Sequence, residues 1–168
     1  MTVITGDDLR ALLGQGLVEA MPDPELQEQM CGVELTLQRI ESFESSGAVD
    51  FDNSQREVAK TGEIAFDQRG WVSLKPGAYL VTFNEIVAIP PDVTALARPR
   101  SSLLRSGATL ATALWDPGYR GRSQSLLLVH NPHGLRLQRN ARLLQLVFLR
   151  LGGQAGKVYS GAYQGENI

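Results

Sequence analysis

Two short polar loops hold the side chains best suited to chemistry: Pro99-Arg100-Ser101-Ser102 and Trp115-Asp116-Pro117-Gly118-Tyr119-Arg120-Gly121. Arg100 and Arg105 carry planar, forked guanidiniums that match phosphate oxygens, and Ser101 and Ser102 add hydroxyl donors. Asp116 places one carboxylate on a tight Pro-Gly turn, and Tyr119 offers a flat face to a sugar or base. From Arg98 to Arg150 the chain has nine arginines, no lysine and one acid, Asp116; sixteen of the other seventeen carboxylates precede Arg98. A carboxylate in such a field is favoured in its charged form and could act as a base beside a bound polyanion. Asp-Pro-Gly is equally a common turn in which the aspartate caps the backbone. The residues alone leave both roles open.

The rest of the composition bounds the answer. A chain of 168 residues, 43% hydrophobic and 20% charged, is one soluble domain with a core of its own. The net charge of −2 gives no global case for nucleic acid or an anionic membrane. Aromatic residues for base stacking are scarce among the arginines, so a nucleic-acid partner is not expected. A single cysteine, Cys31, excludes an internal disulfide and suits a reducing compartment. Met1-Thr2-Val3 runs into a helix start without a signal segment, and no apolar run reaches membrane-spanning length, so a cytoplasmic protein is expected. The segment around Lys157 imitates a phosphate loop but has Leu151 for its first glycine and Val158 for its hydroxyl residue. His130, His133 and one cysteine cannot build a zinc site, so no protein-held metal is expected. Ser101 and Ser102 have no histidine nearby in sequence, which favours anion binding over nucleophilic attack.

Residues 1–30 read as a helical segment. Thr5 and Asp8 mark a helix entry, Leu9, Leu12 and Leu13 a one-sided stripe, and Asp23-Pro24 a second short turn. From Gly32 the period becomes two: Val33, Leu35 and Leu37 alternate with Glu34, Thr36 and Gln38, predicting a half-buried strand. Residues 50–62 read as polar loop. Trp71–Leu74 and Tyr79–Phe83 flank Lys75-Pro76-Gly77-Ala78 like the arms of a hairpin. Further strands are predicted over 85–89, 93–97, 125–129 and 141–151, with Asn131-Pro132-His133-Gly134 a turn and 152–168 a flexible tail. Many short strands behind a helical start indicate an all-β fold, a barrel or jelly roll.

The ordered set Gly32-Val33-Glu34-Leu35, Pro99-Arg100-Ser101-Ser102-Leu103, Asp116-Pro117-Gly118-Tyr119-Arg120-Gly121 and Arg142-Leu143-Leu144-Gln145-Leu146 resembles the successive motifs of the trimeric dUTPase and dCTP deaminase superfamily. Tyr159 and Tyr163-Gln164-Gly165-Glu166-Asn167 are similar to the C-terminal segment of its deaminase-like branch. The whole looks most like the archaeal-type dUTPases. The resemblance implies a single domain over residues 1–168, a distorted jelly-roll β-barrel of the dUTPase type, and a homotrimer with active sites at subunit interfaces. It also implies Mg2+ carried by the nucleotide triphosphate and a tail, 152–168, that closes over the site. Carried over, Arg100, Ser101, Ser102, Arg105 and Gln145 hold phosphates. Asp116 serves the attacking water, Tyr119 packs on the deoxyribose, the Thr112–Trp115 backbone reads the pyrimidine, and Tyr159, Tyr163 and Gln164 belong to the closing tail.

Deaminases of this superfamily carry a proton-shuttling glutamate on the strand after the Asp-Pro-Gly turn. Here that strand reads Ser125-Leu126-Leu127-Leu128-Val129, and no acid occurs between Asp116 and Glu166. A leucine cannot transfer a proton. The expectation is therefore a dUTP diphosphatase, with a dCTP deaminase or bifunctional enzyme as the alternative and a non-catalytic deoxynucleotide sensor as a third reading. The glycine-rich closing motif of ordinary dUTPases is missing, and Ala162 stands where deaminases carry lysine.

Overall fold

The computed structural model describes residues 2–168. After β1 (Thr2–Val3) comes α1 (Gly6–Gly14), with Asp7 and Asp8 in the first turn, where the helix dipole favours negative charge. Thr5 occupies the cap position, extended, without a side-chain capping bond. Leu9 is buried and Leu12 and Leu13 pack half-buried on the core. β2 (Val18–Glu19) leads to the single turn α2 (Pro24–Gln27), capped by Asp23, whose carboxylate accepts from Leu26 N at 3.0 Å. β3 (Glu28–Gln29) then turns into β4 (Gly32–Phe43). Gly32 has φ +138° and lies against the Leu146 carbonyl, so any Cβ there would overlap it.

β5 (Thr61–Glu63), β6 (Trp71–Leu74), β7 (Gly77–Phe83), β8 (Ile86–Ala88) and β9 (Val93–Pro99) follow. Next come α3 (Ser101–Arg105), β10 (Ala108–Ala111), β11 (Arg120–Gly121), β12 (Gln124–Val129), β13 (Leu135–Gln138) and β14 (Arg142–Arg150). All pairs formed by these strands are antiparallel. The main sheet runs β1-β14-β4-β7-β12-β10, with β9 also on β14 and β3 and β5 on β4; β11-β8-β2 and β13-β6 form smaller sheets. The sheet curls into a distorted jelly-roll barrel. Leu35, Leu37, Ile40, Val81, Phe83, Leu127, Leu144, Leu146 and Phe148 fill it, each fully buried.

Three local expectations change. Trp71–Leu74 does not fold back on β7: the Lys75-Pro76 turn passes between sheets, β6 pairing with β13 while β7 takes β4 and β12 on its two edges. Ser101–Arg105 is not loop but a short helix, anchored by buried Leu103. The alternation in β4 marks a strand correctly, yet its polar face is covered, with Glu34 5% and Thr36 2% exposed. Polar partners make that burial tolerable. Glu85, itself fully buried, accepts from Thr36 N (2.9 Å), Thr36 Oγ1 (2.6 Å) and Gln27 Nε2 (2.7 Å), and Gln27 Nε2 also donates to Glu34 O (2.8 Å).

Burial pushes the Glu85 carboxyl pKa up, against the bonds from Thr36 and Gln27. In Glu85→Gln an amide nitrogen would confront these donors, lowering unfolding free energy by about 1–3 kcal/mol. The folded state holds the Glu85 proton more tightly than the unfolded chain. Its contribution is therefore complete below the unfolded carboxyl range and declines as pH rises through the raised folded value. Urea unfolding should show the wild-type advantage over Glu85→Gln narrowing as pH rises above the ordinary carboxyl range. A widening advantage would contradict this reading.

Candidate active site

β14 positions the half of the site around Arg100. Its Gln145 stands opposite Glu34 of β4 on one edge and Arg98 of β9 on the other, so the three form a row across adjacent strands. Arg100 follows directly, its N–H bonded to Leu143 O at 2.9 Å. Its Nε meets Glu34 Oε1 at 2.6 Å, and Arg142 NH1 meets Glu34 Oε2 at 2.9 Å. Register slips between Arg142 and Leu144, and such a bulge re-aims a side chain. With Nε held, the two terminal nitrogens of Arg100 remain for an oxyanion. Glu34, Arg98, Arg100, Ser101 and Gln145 line a cavity of about 260 Å3.

Ser102 faces away from that cavity, into a groove of about 330 Å3 that also contains Arg100, Arg136, Arg139 and Arg142. Arg105, exposed at the end of α3, lines neither space.

The Asp116 turn is built elsewhere. Trp115 and Ala95 exchange backbone bonds of 3.1 and 3.2 Å, and Thr94 Oγ1 donates to Trp115 O at 3.0 Å. Tyr119 N closes the turn on Asp116 O (3.1 Å), and Gly118 N donates to Ile89 O (2.9 Å). Trp115, Asp116, Tyr119, Ser123 and Gln124 line a cavity of about 290 Å3, completed by Tyr159, Tyr163 and Glu166. The indole Nε1 of Trp115 and the Ser123 hydroxyl are buried without a hydrogen-bond partner. Along β12 the face of Gln124 continues as Leu126 and Leu128, so the strand brings no acid to this cavity.

Tyr119 is 6% exposed. Its hydroxyl donates to Glu166 Oε1 at 2.7 Å, and the Tyr159 ring meets its ring edge-on at 5.7 Å. Burial first, then the Glu166 bond and charge, push its pKa far above the ordinary tyrosine value; the adjacent Ser123 hydroxyl opposes this slightly. The phenol is a donor at any ordinary pH. Burial also pushes the Glu166 carboxyl up, opposed by the Tyr119 bond.

The tail lies as a strap on this turn. Tyr159 N donates to Pro117 O (2.7 Å), Gln164 Nε2 to Gly118 O (3.0 Å), Arg120 N to Gln164 Oε1 (3.1 Å) and Gly165 N to Arg120 O (2.8 Å). Arg122 N donates to Glu166 O (2.9 Å), and Asn167 Nδ2 to Arg122 O (3.0 Å). A Cβ on Gly121 would stand 3.1 Å from Glu166 Cγ and 2.8 Å from the Tyr119 hydroxyl, so the close approach needs glycine. Gln164 faces away from the Asp116 cavity, while Tyr159 and Tyr163 enter it.

One chain thus gathers Arg100, Ser101 and Gln145 in one cavity and Trp115, Asp116, Tyr119, Tyr159 and Tyr163 in another. Trp115 is bridged to Ala95, and Arg100 lies five residues further along, about 16 Å of extended strand. Sequence reasoning left Glu34, Arg142 and Glu166 as motif letters without a role and missed Ser123 and Gln124. The placement of Glu34 and Thr36 on a polar face that turns out to be buried was their one available signal; nothing in the sequence marks Ser123.

A family profile described as dCTP deaminase-like matches residues 3–151. A protein of Methanosarcina mazei named probable deoxyuridine 5′-triphosphate nucleotidohydrolase is 50% identical over 169 residues, covering 99% of each chain. A protein of the same name from Archaeoglobus fulgidus is 46% identical over 100% of this chain and 99% of its own. The deoxyuridine 5′-triphosphate nucleotidohydrolase of Methanocaldococcus jannaschii is 39% identical over 84% of this chain and 90% of its own. Among solved structures, 2′-deoxycytidine 5′-triphosphate deaminase from Agrobacterium tumefaciens superposes with a TM-score of 0.66 over 89% of this chain at 23% identity, a likeness of fold. This chain spans 48% of that one. Barrel, motif order and full-length relatives agree: the chain belongs to the dCTP deaminase-like family of the dUTPase and dCTP deaminase superfamily.

Proposed function

We propose that this protein is a dUTP diphosphatase, converting dUTP and water to dUMP and pyrophosphate. The water oxygen bonds to the α-phosphorus, the bond from that phosphorus to the bridging oxygen breaks, and pyrophosphate leaves. Asp116 orients the water and accepts its proton. Arg100, Ser101 and Gln145 hold phosphate oxygens, with Arg100 kept in place by Glu34 and offsetting charge as the bond breaks. The pyrimidine and deoxyribose occupy the cavity of Trp115, Tyr119 and Ser123, and the tail residues Tyr159 and Tyr163 close it.

The observation that carries the hydrolase reading is the makeup of that cavity: Asp116 lines it, whereas β12 contributes only Gln124 to it and carries no acid anywhere along its length. Deamination would need Glu166 as its proton carrier, and Glu166 is engaged by Tyr119. The separation of Arg100 from Asp116 within one chain supports a homotrimer in which each site takes its two halves from neighbouring copies. Among the described residues no three His, Cys, Asp or Glu side chains cluster to hold an ion. In this reading Mg2+ enters with the triphosphate as part of the substrate. No helix among the described residues is long and apolar enough to cross a membrane, and a cytoplasmic nucleotide pool is the setting that fits this substrate.

Asp116→Asn keeps the shape and turn propensity of the residue while removing its basic site. Pyrophosphate release from dUTP should drop by roughly 10²-fold or more, while a non-hydrolysable dUTP analogue still binds. A fully active variant would reduce Asp116 to a turn residue. Wild type should release no ammonia from dCTP; ammonia would move the protein to the deaminase branch.

Gly121→Ala presses a methyl group between Glu166 and the Tyr119 hydroxyl and should lift the strap from the turn. Trypsin would then cut after Lys157 faster than in wild type, and dUTP turnover would fall with it. Unchanged cleavage and turnover would mean the strap does not close the site.

A further inference from the structure

We propose that the arginine groove behind Arg100 is a second anion subsite, built for the pyrophosphate part of the substrate; its ligand rests on the hydrolase reading above. Its walls are Arg100, Ser102, Arg136, Arg139, Arg142 and Trp71, and no carboxylate lines it. Arg100 and Arg142 share the single charge of Glu34, and neither Arg136 nor Arg139 makes an ion pair among the described residues. Four guanidiniums against one carboxylate repel one another unless an anion joins them.

The two unpaired arginines are held rather than loose. Arg136 lies over the Trp71 ring at 4.8 Å, and Arg139 over the Phe66 ring at 4.4 Å. Trp71 is fixed in turn by its N–H to Asp67 Oδ1 (2.8 Å) and by the pairing of β6 with β13, in which Gln138 stands opposite it. Each ring covers one side of its guanidinium. Arg139 donates one N–H to Gln38 O at 3.3 Å, and Arg136 makes no side-chain hydrogen bond, so most of their N–H groups are unused. A planar fork with unused N–H groups can grip a phosphate through two oxygens.

Position supplies the ligand. The groove shares Arg100 with the cavity of Ser101 and Gln145 and adds Ser102, the hydroxyl that cavity lacks. An anion that runs past Arg100 away from the reacting phosphorus is the β- and γ-phosphate pair, which leaves as pyrophosphate. Arg136 and Arg139 are then binding residues outside every motif of the sequence, acting on the phosphate chain and not on the nucleoside.

Calorimetric titration of the full chain with inorganic pyrophosphate and, separately, with dUMP tests this. In R136Q/R139Q, pyrophosphate affinity should fall about tenfold or more, the scale of a lost charge-assisted bond, while dUMP affinity falls far less. W71L should weaken pyrophosphate binding with every charge retained, because Arg136 loses its platform. R136K, which keeps the charge but not the fork, should do the same and serves if the double variant does not fold. Undiminished pyrophosphate affinity in these variants, or equal losses for pyrophosphate and dUMP, would overturn the subsite. Wild-type dUTP turnover, read in parallel, separates the two claims: turnover with pyrophosphate binding indifferent to Arg136 and Arg139 removes the groove alone. Arginine-dependent pyrophosphate binding without turnover upholds the groove as an anion site and removes the hydrolase reading.

Discussion

The Glu34 carboxylate, buried between Arg100 and Arg142, is the interaction on which the half of the site around Arg100 depends. A buried charge is costly unless paired, and a pair repays that cost only with good geometry. Glu34 meets the condition by receiving Arg100 from the end of β9 and Arg142 from the start of β14, so three strands must be in register before the charges match. Removing it would leave two guanidiniums facing each other. The same row carries Gln145 and Arg98, which ties β14, paired with β1, β4 and β9, to the residues proposed to meet the ligand.

The second constraint is distance. β9 begins beside Trp115 and ends beside Arg100, and the barrel wall keeps those ends apart. The chain returns through α3 and β10 toward the start of β9, so Asp116 comes to rest near Ala95 and not near Arg100. Under the proposed function, a nucleotide with its phosphates on Arg100 and its sugar on Tyr119 would span two copies. The strap adds a further condition, because Tyr159, Tyr163 and Glu166 already contact the cavity that the nucleoside would use.

Much of this was legible in the residues. Asp116-Pro117-Gly118 announced its turn, Asp23-Pro24 its capped helical turn, and the period of two its strand from Gly32. What sequence could not supply was the far side of each strand. Glu34 and Thr36 read as solvent-facing because polar alternation looks the same whether the partner is water or a buried Arg100 and Glu85. Trp71–Leu74 read as a hairpin arm because turn chemistry cannot say which sheet a strand joins. The tail read as loose because its composition is glycine-rich and polar, whereas its order comes from backbone bonds to residues 117–122 that leave no trace in its own sequence. Ser123 carried no signal at all, since its unpaired hydroxyl matters only through what surrounds it.

The central claim, that one active site takes Arg100 from one copy and Asp116 from another, is tested most directly by mixing two inactive proteins. Arg100→Ala and Asp116→Asn chains, unfolded together at equal amounts and refolded, would form hybrids in which some interfaces join an intact Arg100 to an intact Asp116. Random assembly places such a pair at roughly a quarter of the sites, so dUTP hydrolysis should return to about that fraction of wild type. If the mixture is no more active than its two components, each chain holds its own complete site and the account is wrong.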